Sequence, residues 1–247
     1  MGNIKVTIAY DGTNYYGFQE QRGTGLATVQ SVLEECIEGI ACRSIPIIGA
    51  GRTDTGVHAR GQVISFSQES WPVPLERTVY ALNSVLPRDI AAVAAEEKPD
   101  SFHPRFSAKA KRYCYTIYNG QWPAPLHRLY SYHIPHKLDL SAMQRAALDL
   151  IGEKDFSAFR ALGTPVKTTV RLMHRIEVTR TDDFVHISLC ANGFLYHMAR
   201  MIAGTLLRIG MGRIPAGEIK SILENQSSFA SGPSLPARGL CLEEVMY

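Results

Sequence analysis

Lys111-Arg112-Tyr113-Cys114-Tyr115-Thr116-Ile117-Tyr118-Asn119 reads as a β-strand, and its place decides the fold because it restarts an order of elements already met in the chain. Earlier, residues 4–10 alternate Val6, Ile8 and Tyr10 against Lys5, Thr7 and Ala9, the period of a half-buried strand, and Asp11-Gly12 ends it as a turn. Thr28 then caps a helix whose apolar stripe is Val29, Val32, Leu33, Cys36, Ile37 and Ile40. A glycine-rich loop follows, then a strand over residues 62–68 and a helix over 75–86 stopped by Pro87. After residue 119 the order recurs. Ser141 and Gln144 suggest a capping box for a helix running to residue 151, with Leu140, Met143, Ala147 and Leu150 on its buried face. Residues 175–180 and 184–191 alternate as a hairpin around Asp182-Asp183. Helices over 194–209 and 216–225 and a strand over 240–246 close the chain. The pattern predicts an α+β protein of two similar halves, 1–107 and 108–247, each a mostly antiparallel sheet with helices packed on it, and a cleft where they meet as the place for a site.

The 247 residues, 45% of them apolar, are enough to bury a substantial core. The net charge of +3 says little about a polyanionic partner until the distribution of the basic residues is considered. Cys36, Cys42, Cys114, Cys190 and Cys241 form no CxxC pair, so neither a zinc site nor a disulfide framework is suggested, and a reducing, cytoplasmic location is expected. No stretch approaches the roughly 20 apolar residues of a membrane span.

The chemistry concentrates in Gly49-Ala50-Gly51-Arg52-Thr53-Asp54-Thr55-Gly56-Val57-His58-Ala59-Arg60-Gly61-Gln62, where four glycines mark a tightly folded loop. A structural turn carrying a surface Asp and Arg is the plain reading. Against it stands the pairing of Asp54 with Arg52. A carboxylate is ionised at neutral pH and a neighbouring guanidinium favours that form, so Asp54 would be a nucleophile needing no base, suited to attack on a sugar or an electron-poor ring. Arg52 would orient the carboxylate or meet a phosphate through its planar donor fork.

This loop resembles the signature of the type I tRNA pseudouridine synthases, GRTDxGVHAxxQ, and matches it at every fixed position. The resemblance continues in Phe102-His103-Pro104-Arg105-Phe106-Ser107-Ala108, Arg112-Tyr113-Cys114-Tyr115, Phe156-Ser157-Ala158-Phe159-Arg160, Gly193-Phe194-Leu195-Tyr196-His197-Met198-Ala199-Arg200 and Ala237-Arg238-Gly239-Leu240. Pro104 stands where that family often has Ala, and Ala199 where it often has Val. The resemblance implies a pseudouridine synthase fold and an isomerase that needs no cofactor and no metal. It implies Asp54 as the catalytic aspartate, Arg52 as the arginine that accompanies it and Tyr113 as the tyrosine that lies against the target base. Arg200 would be a cleft arginine that acts near Asp54. It further implies uridines at positions 38, 39 and 40 of the tRNA anticodon stem-loop as targets, and a symmetric homodimer.

Residues 103–112 fit an RNA partner: Arg105, Lys109, Lys111 and Arg112 occur with no acidic residue, and Tyr113 and Tyr115 follow. The alternative is a solvated strand face with two core tyrosines. Arg160 and His58 join these as candidate substrate contacts, and Lys167, Arg171, Arg175, Arg180, Arg208 and Arg213 add basic clusters. Extracting a paired uridine costs a few kcal/mol, while stacking on one ring returns about 1 to 3 kcal/mol. Phosphate contacts must therefore supply the surplus, so binding should weaken steeply with salt. Two rivals remain. Asp54-Thr55-Gly56 is also an aspartic-protease tripeptide, but such a site needs two carboxylates sharing a proton and the chain has no second D-T-G or D-S-G. A tRNA-binding chaperone would keep the basic and aromatic residues and make Asp54 dispensable. Histidines 127, 133, 136, 174, 186 and 197 form no metal-ligand pattern and are expected to be structural or superficial. Trp71 and Trp122, each followed by Pro, are expected to anchor loops.

Overall fold

The computed structural model describes residues 2–21, 23–161, 163, 166–225 and 231–247. The chain is α+β and divides into two compact units, the first made of Met1–Lys109 with Leu242–Tyr247, the second of Ala110–Cys241. No helix among the described residues is long and apolar enough to cross a membrane.

In the first unit the elements run β1 (Gly2–Tyr10), α1 (Val29–Ala41), β2 (Ile48–Gly49), β3 (His58–Ser67), α2 (Leu75–Val85) and β4 (Ile90–Pro99). β1 lies between β4 and β3, antiparallel to both, with Val6 opposite Ile64 and Ala95. Its alternation is the expected one: Ile4, Val6, Ile8 and Tyr10 are buried and the residues between them are not. The Thr28 hydroxyl accepts from the Ser31 backbone N–H and the Ser31 side chain returns the bond, which starts α1 where expected. Only Val29, Leu33 and Ile37 of its apolar stripe are fully buried. β4 was not foreseen. Its sequence is alanine-rich and a weak strand former by propensity, and it exists because β1 supplies an unpaired edge for it to close. The last strand, β10 (Leu240–Met246), carries the chain from the second unit back to the first, where it lies beside β3. Trp71 is the loop anchor expected, its indole N–H donating to the Thr78 hydroxyl at 3.0 Å. Trp122 is 74% exposed and anchors nothing.

The second unit contains β5 (Ala110–Tyr118), β6 (Tyr132–His133), α3 (Leu140–Leu148), β7 (Gly152–Asp155), β8 (Val170–Thr181), β9 (Phe184–Ala191), α4 (Met198–Gly210) and α5 (Glu218–Asn225). The sheet order is β5-β9-β8-β7, antiparallel throughout, with β6 added parallel to β5. Register aligns buried rows across three strands: Tyr113 with Leu189 and Ile176, Tyr115 with Ile187 and Val178. The hairpin turns where expected, with Asp182 at φ +51°, a conformation Asp tolerates better than most residues. α3 differs from expectation at its start. Asp139 caps it, accepting from the Ala142 N–H at 2.9 Å, and Gln144 donates instead to the Val178 carbonyl of β8. α4 is buried nearly all round, so its residues serve the core on every side. It begins at Met198 instead of residue 194 because His197, immediately before it, has left-handed backbone angles.

Two buried phenols make stability depend on alkaline pH. The Tyr15 hydroxyl donates to Asp89 at 2.7 Å, and that of Tyr115 donates to the Pro236 carbonyl at 2.8 Å. Burial first, then the Asp89 carboxylate, hold the Tyr15 phenol well above its ordinary range. Burial does the same at Tyr115 against the opposing pull of Arg200 and Arg238. In the unfolded chain both ionise near pH ~10. Their contribution is complete below that pH and is lost as pH rises above it, by up to about 1.4 kcal/mol per pH unit for each phenol. Denaturant unfolding at pH 9 and 11 should therefore show a smaller alkaline loss in Tyr115→Phe than in the unmodified chain.

Candidate functional site

The expected loop is shorter and more firmly held than its sequence suggests. Ile48–Gly49 pairs with β3, and β3 itself starts at His58, which leaves residues 50–57 as the irregular part. Hydrogen bonds tie that part at nearly every step. The Ala50 N–H donates to the Val63 carbonyl at 2.8 Å, and buried Gln62 donates through its amide to the Gly51 carbonyl at 2.8 Å. The Thr53 carbonyl accepts from the Phe18 N–H at 3.1 Å while its hydroxyl meets the Tyr10 hydroxyl at 2.8 Å. Beyond Asp54, the Gly56 N–H donates to the Tyr15 carbonyl at 3.3 Å, and the Val57 N–H closes a four-residue turn on the Asp54 carbonyl at 3.1 Å. Gly56, third in that turn, has φ +76°, which a side chain other than glycine's would resist. With each bond contributing about 0.5 to 1.5 kcal/mol, the backbone on both sides of Asp54 has little freedom.

The side chains alternate accordingly: Thr53 is buried, Asp54 half-buried and Arg52 exposed. His58 is buried in β3, where its Nδ1 accepts from the Gly12 N–H at 3.1 Å and lies 3.1 Å from an Asp11 carboxylate oxygen. The segment 10–18 thus forms a wall for the loop. Its members Tyr10, Gly12, Tyr15 and Phe18 were not singled out from sequence as site residues. The one available signal was the Asp11-Gly12 turn.

In the second unit Tyr113 is buried on β5, its ring edge-on to Phe194 at 4.9 Å between centroids. Tyr115 is a core residue with its hydroxyl committed to Pro236, so it is no stacking surface. Lys111 and Arg112 are half-buried on the same strand as Tyr113. The basic run 103–112 is divided between the units, with Arg105 and Lys109 belonging to the first and both exposed. The Arg105 guanidinium lies 5.6 Å from the centre of the exposed Phe106 ring. Arg160 is half-buried after the short turn Ser157–Phe159. The other basic residues do not form one cluster. Arg175 is paired with Glu177 at 2.6 Å, Arg180 donates to Asn119, and Arg208 lies eight residues beyond Arg200 on α4, about 12 Å along the axis.

Arg200 occupies the first turn of α4 and is fixed there. Its Nε donates to the Leu235 carbonyl at 2.7 Å, and its Nη1 lies 3.2 Å from His197 Nε2. His197 has φ +61° and ψ 3° at a helix-capping position that is ordinarily extended, a backbone state costing on the order of 1 to 3 kcal/mol outside glycine. Sequence reading placed this histidine among the structural ones and missed its contact with Arg200. Among the described residues no group of three or more His, Cys, Asp or Glu side chains is arranged to hold a metal ion.

A family profile described as tRNA pseudouridine synthase matches residues 6–107 and 146–247. Those stretches include Arg52, Asp54, His58, Arg105, Arg160 and Arg200, while Lys109, Lys111, Arg112 and Tyr113 fall between them. The chain belongs to the tRNA pseudouridine synthase family. It is 46% identical to tRNA pseudouridine synthase A of Acetivibrio thermocellus over 247 residues, all of both chains. The protein of the same name from Moorella thermoacetica is 47% identical over 99% of each chain, and that from Bacillus licheniformis 42% identical over 99% of this chain and 98% of its own. A solved Cbf5-Nop10-Gar1 complex aligns with 82% of this chain and 54% of its own at 13% identity and a TM-score of 0.34, too distant a likeness to bear on the fold.

Proposed function

We propose that the chain isomerises uridine to pseudouridine in tRNA, with Asp54 as the nucleophile. The observation that supports this role most directly is the fixed backbone on either side of Asp54, which presents a half-buried carboxylate from one place. Its oxygen attacks the uracil C6 or the ribose C1′ of an unstacked uridine. The N1–C1′ bond breaks, the base turns, and C5 bonds to C1′. The proton on C5 leaves, N1 takes one up, and the carboxylate is released, so no atom is gained or lost. Tyr113 lies against the base, Arg52 and Arg200 handle the carboxylate or a nearby phosphate, and Arg105, Lys109, Lys111, Arg112, Arg160 and His58 contact the RNA. Uridines 38 to 40 of the anticodon stem-loop are the targets, and two copies of the chain form the working unit in the cytoplasm.

Tritium release from tRNA labelled at uridine C5, followed by mapping of the pseudouridines formed, tests the reading. Release with pseudouridine confined to positions 38 to 40 is the expected result. A protein that binds tRNA and releases no tritium would be a chaperone, and pseudouridine elsewhere would overturn the assignment of the target arm.

A further inference from the structure

We propose that His197 is a positioning residue for Arg200, holding its guanidinium through a hydrogen bond that exists only while His197 Nε2 is unprotonated. The inference deepens the role given to Arg200 above and rests on it. It starts from donor arithmetic. A guanidinium donates and never accepts, so the 3.2 Å contact between Arg200 Nη1 and His197 Nε2 requires that nitrogen to be the acceptor. A neutral imidazole then carries its proton on Nδ1, which faces the Ser234 hydroxyl at 3.2 Å and donates to it. Both ring nitrogens are used, and the tautomer is set by the two partners.

The backbone agrees with this assignment. An N-cap side chain ordinarily accepts from the first turn of its helix, yet His197 makes no such bond, and only its carbonyl joins the helix, accepting from Met201 at 3.0 Å. Left-handed angles turn the imidazole towards Arg200 and Ser234 instead. The segment 231–236 that supplies Ser234 is itself secured: the Gly232 N–H donates to buried Thr205 at 2.7 Å, and Leu235 and Arg200 exchange bonds, Leu235 N–H to the Arg200 carbonyl at 3.3 Å and Arg200 Nε to the Leu235 carbonyl at 2.7 Å. Among the acceptors that hold the guanidinium are thus a carbonyl that does not titrate and an imidazole that does.

Acid removes the second acceptor. Protonation puts an N–H on Nε2 facing Nη1 and sets two cations side by side. The groups facing this corner include Arg200 from α4, the Tyr196 ring at 4.0 Å, and Ser234 and the Leu235 carbonyl from a segment with no ionisable side chain. Beyond them, Arg200 and Arg238 both act on the buried Tyr115 phenol.

Two substitutions separate positioning from mere folding. His197→Gln offers an amide oxygen at about the reach of Nε2 and does not titrate. His197→Asn tolerates left-handed angles and can still meet Ser234, but is too short to reach Arg200. In single-turnover tritium release, Asn should lower the rate about 10- to 100-fold, the effect of losing one hydrogen bond to a charged group. Its tRNA affinity should stay within a few-fold, and Gln should recover most of the rate. The unmodified protein should lose rate on the acid side as one group protonates, and neither variant should show that limb. If Gln melts below the assay temperature, the shape of the Asn profile decides alone. Nitrogen NMR of the Arg200 Nε and His197 ring gives a readout independent of catalysis: Nε2 should be unprotonated, and the Arg200 signal should move in Asn. An acid limb that persists without His197, or an Arg200 signal unmoved in Asn, overturns the proposal. Unmodified protein that shows the expected NMR coupling but releases no tritium overturns the pseudouridine reading instead.

Discussion

Asp54→Asn should reduce tritium release from tRNA by about 10⁴-fold or more, the scale on which loss of a nucleophile is felt, while leaving tRNA affinity within a few-fold. The substitution is nearly isosteric. It keeps the turn, because the Asp54 contribution there is its backbone carbonyl, which accepts from Val57. Thr53 and Gly56 keep their bonds to Phe18, Tyr10 and Tyr15 for the same reason. The loop backbone should keep its course, so a lost rate cannot be blamed on a displaced loop. Binding cannot explain it either: removing a negative charge near a polyanion tends to tighten the complex. What disappears is the anionic oxygen. A neutral amide cannot form the covalent adduct, and water has no assigned route to it. Single-turnover rates at saturating enzyme, with affinity measured by filter binding, separate the two effects. Substantial activity in this variant would end the assignment of Asp54 as nucleophile.

Gly12→Ala should cost about 3 kcal/mol of stability, towards the upper end of what overpacking usually costs, and lower the melting temperature by about 10 °C in a chain of this size. The reason is room. A Cβ on Gly12 would lie 2.0 Å from the Val57 carbonyl oxygen and 2.6 Å from its carbonyl carbon, and both are backbone atoms that cannot rotate aside. Relief requires the 10–18 segment and the 50–57 loop to part, which also stretches the bond from Gly12 N–H to His58 Nδ1. Val57 closes the turn on Asp54, so the displacement is transmitted to the catalytic candidate. A shift of about 1 Å at a reacting group costs on the order of 10²-fold, so kcat should fall even below the melting point. Gly23, where a Cβ meets nothing within 4 Å but φ is +76°, gives a control in which any strain is local to an exposed turn. A Gly12→Ala protein with unchanged melting temperature and kcat would show that the two segments are not coupled.

Where side-chain period and caps act locally, sequence and structure agree. β1 buries every second residue, Thr28 caps α1, Pro87 follows α2, and the turn at Asp182 joins β8 to β9. In each of these the deciding interaction spans a few residues. β4 escaped because its alanines and Glu96, Glu97 and Lys98 carry no strand signal of their own. Pairing with β1 makes it a strand, and Glu96 is held there by Lys5 at 2.6 Å from across that pair. The cap of α3 was misassigned because Asp139 and Ser141 are both plausible caps two residues apart, and the choice fell to Gln144 finding the Val178 carbonyl on a distant strand.

The amino-acid order alone determined the family, through one long loop signature and five shorter motifs, and with it the candidates Asp54, Arg52, Tyr113 and Arg200. Only the tertiary structure decided how Asp54 and Arg200 are held. Tyr10, Gly12, Tyr15 and Phe18 meet a loop some forty residues later, and Ser234 and Leu235 reach back to a helix that began more than thirty residues before them. Hydrogen bonds of that separation leave no periodicity in a sequence, because the geometry that makes them exists only once the sheet and helices have packed.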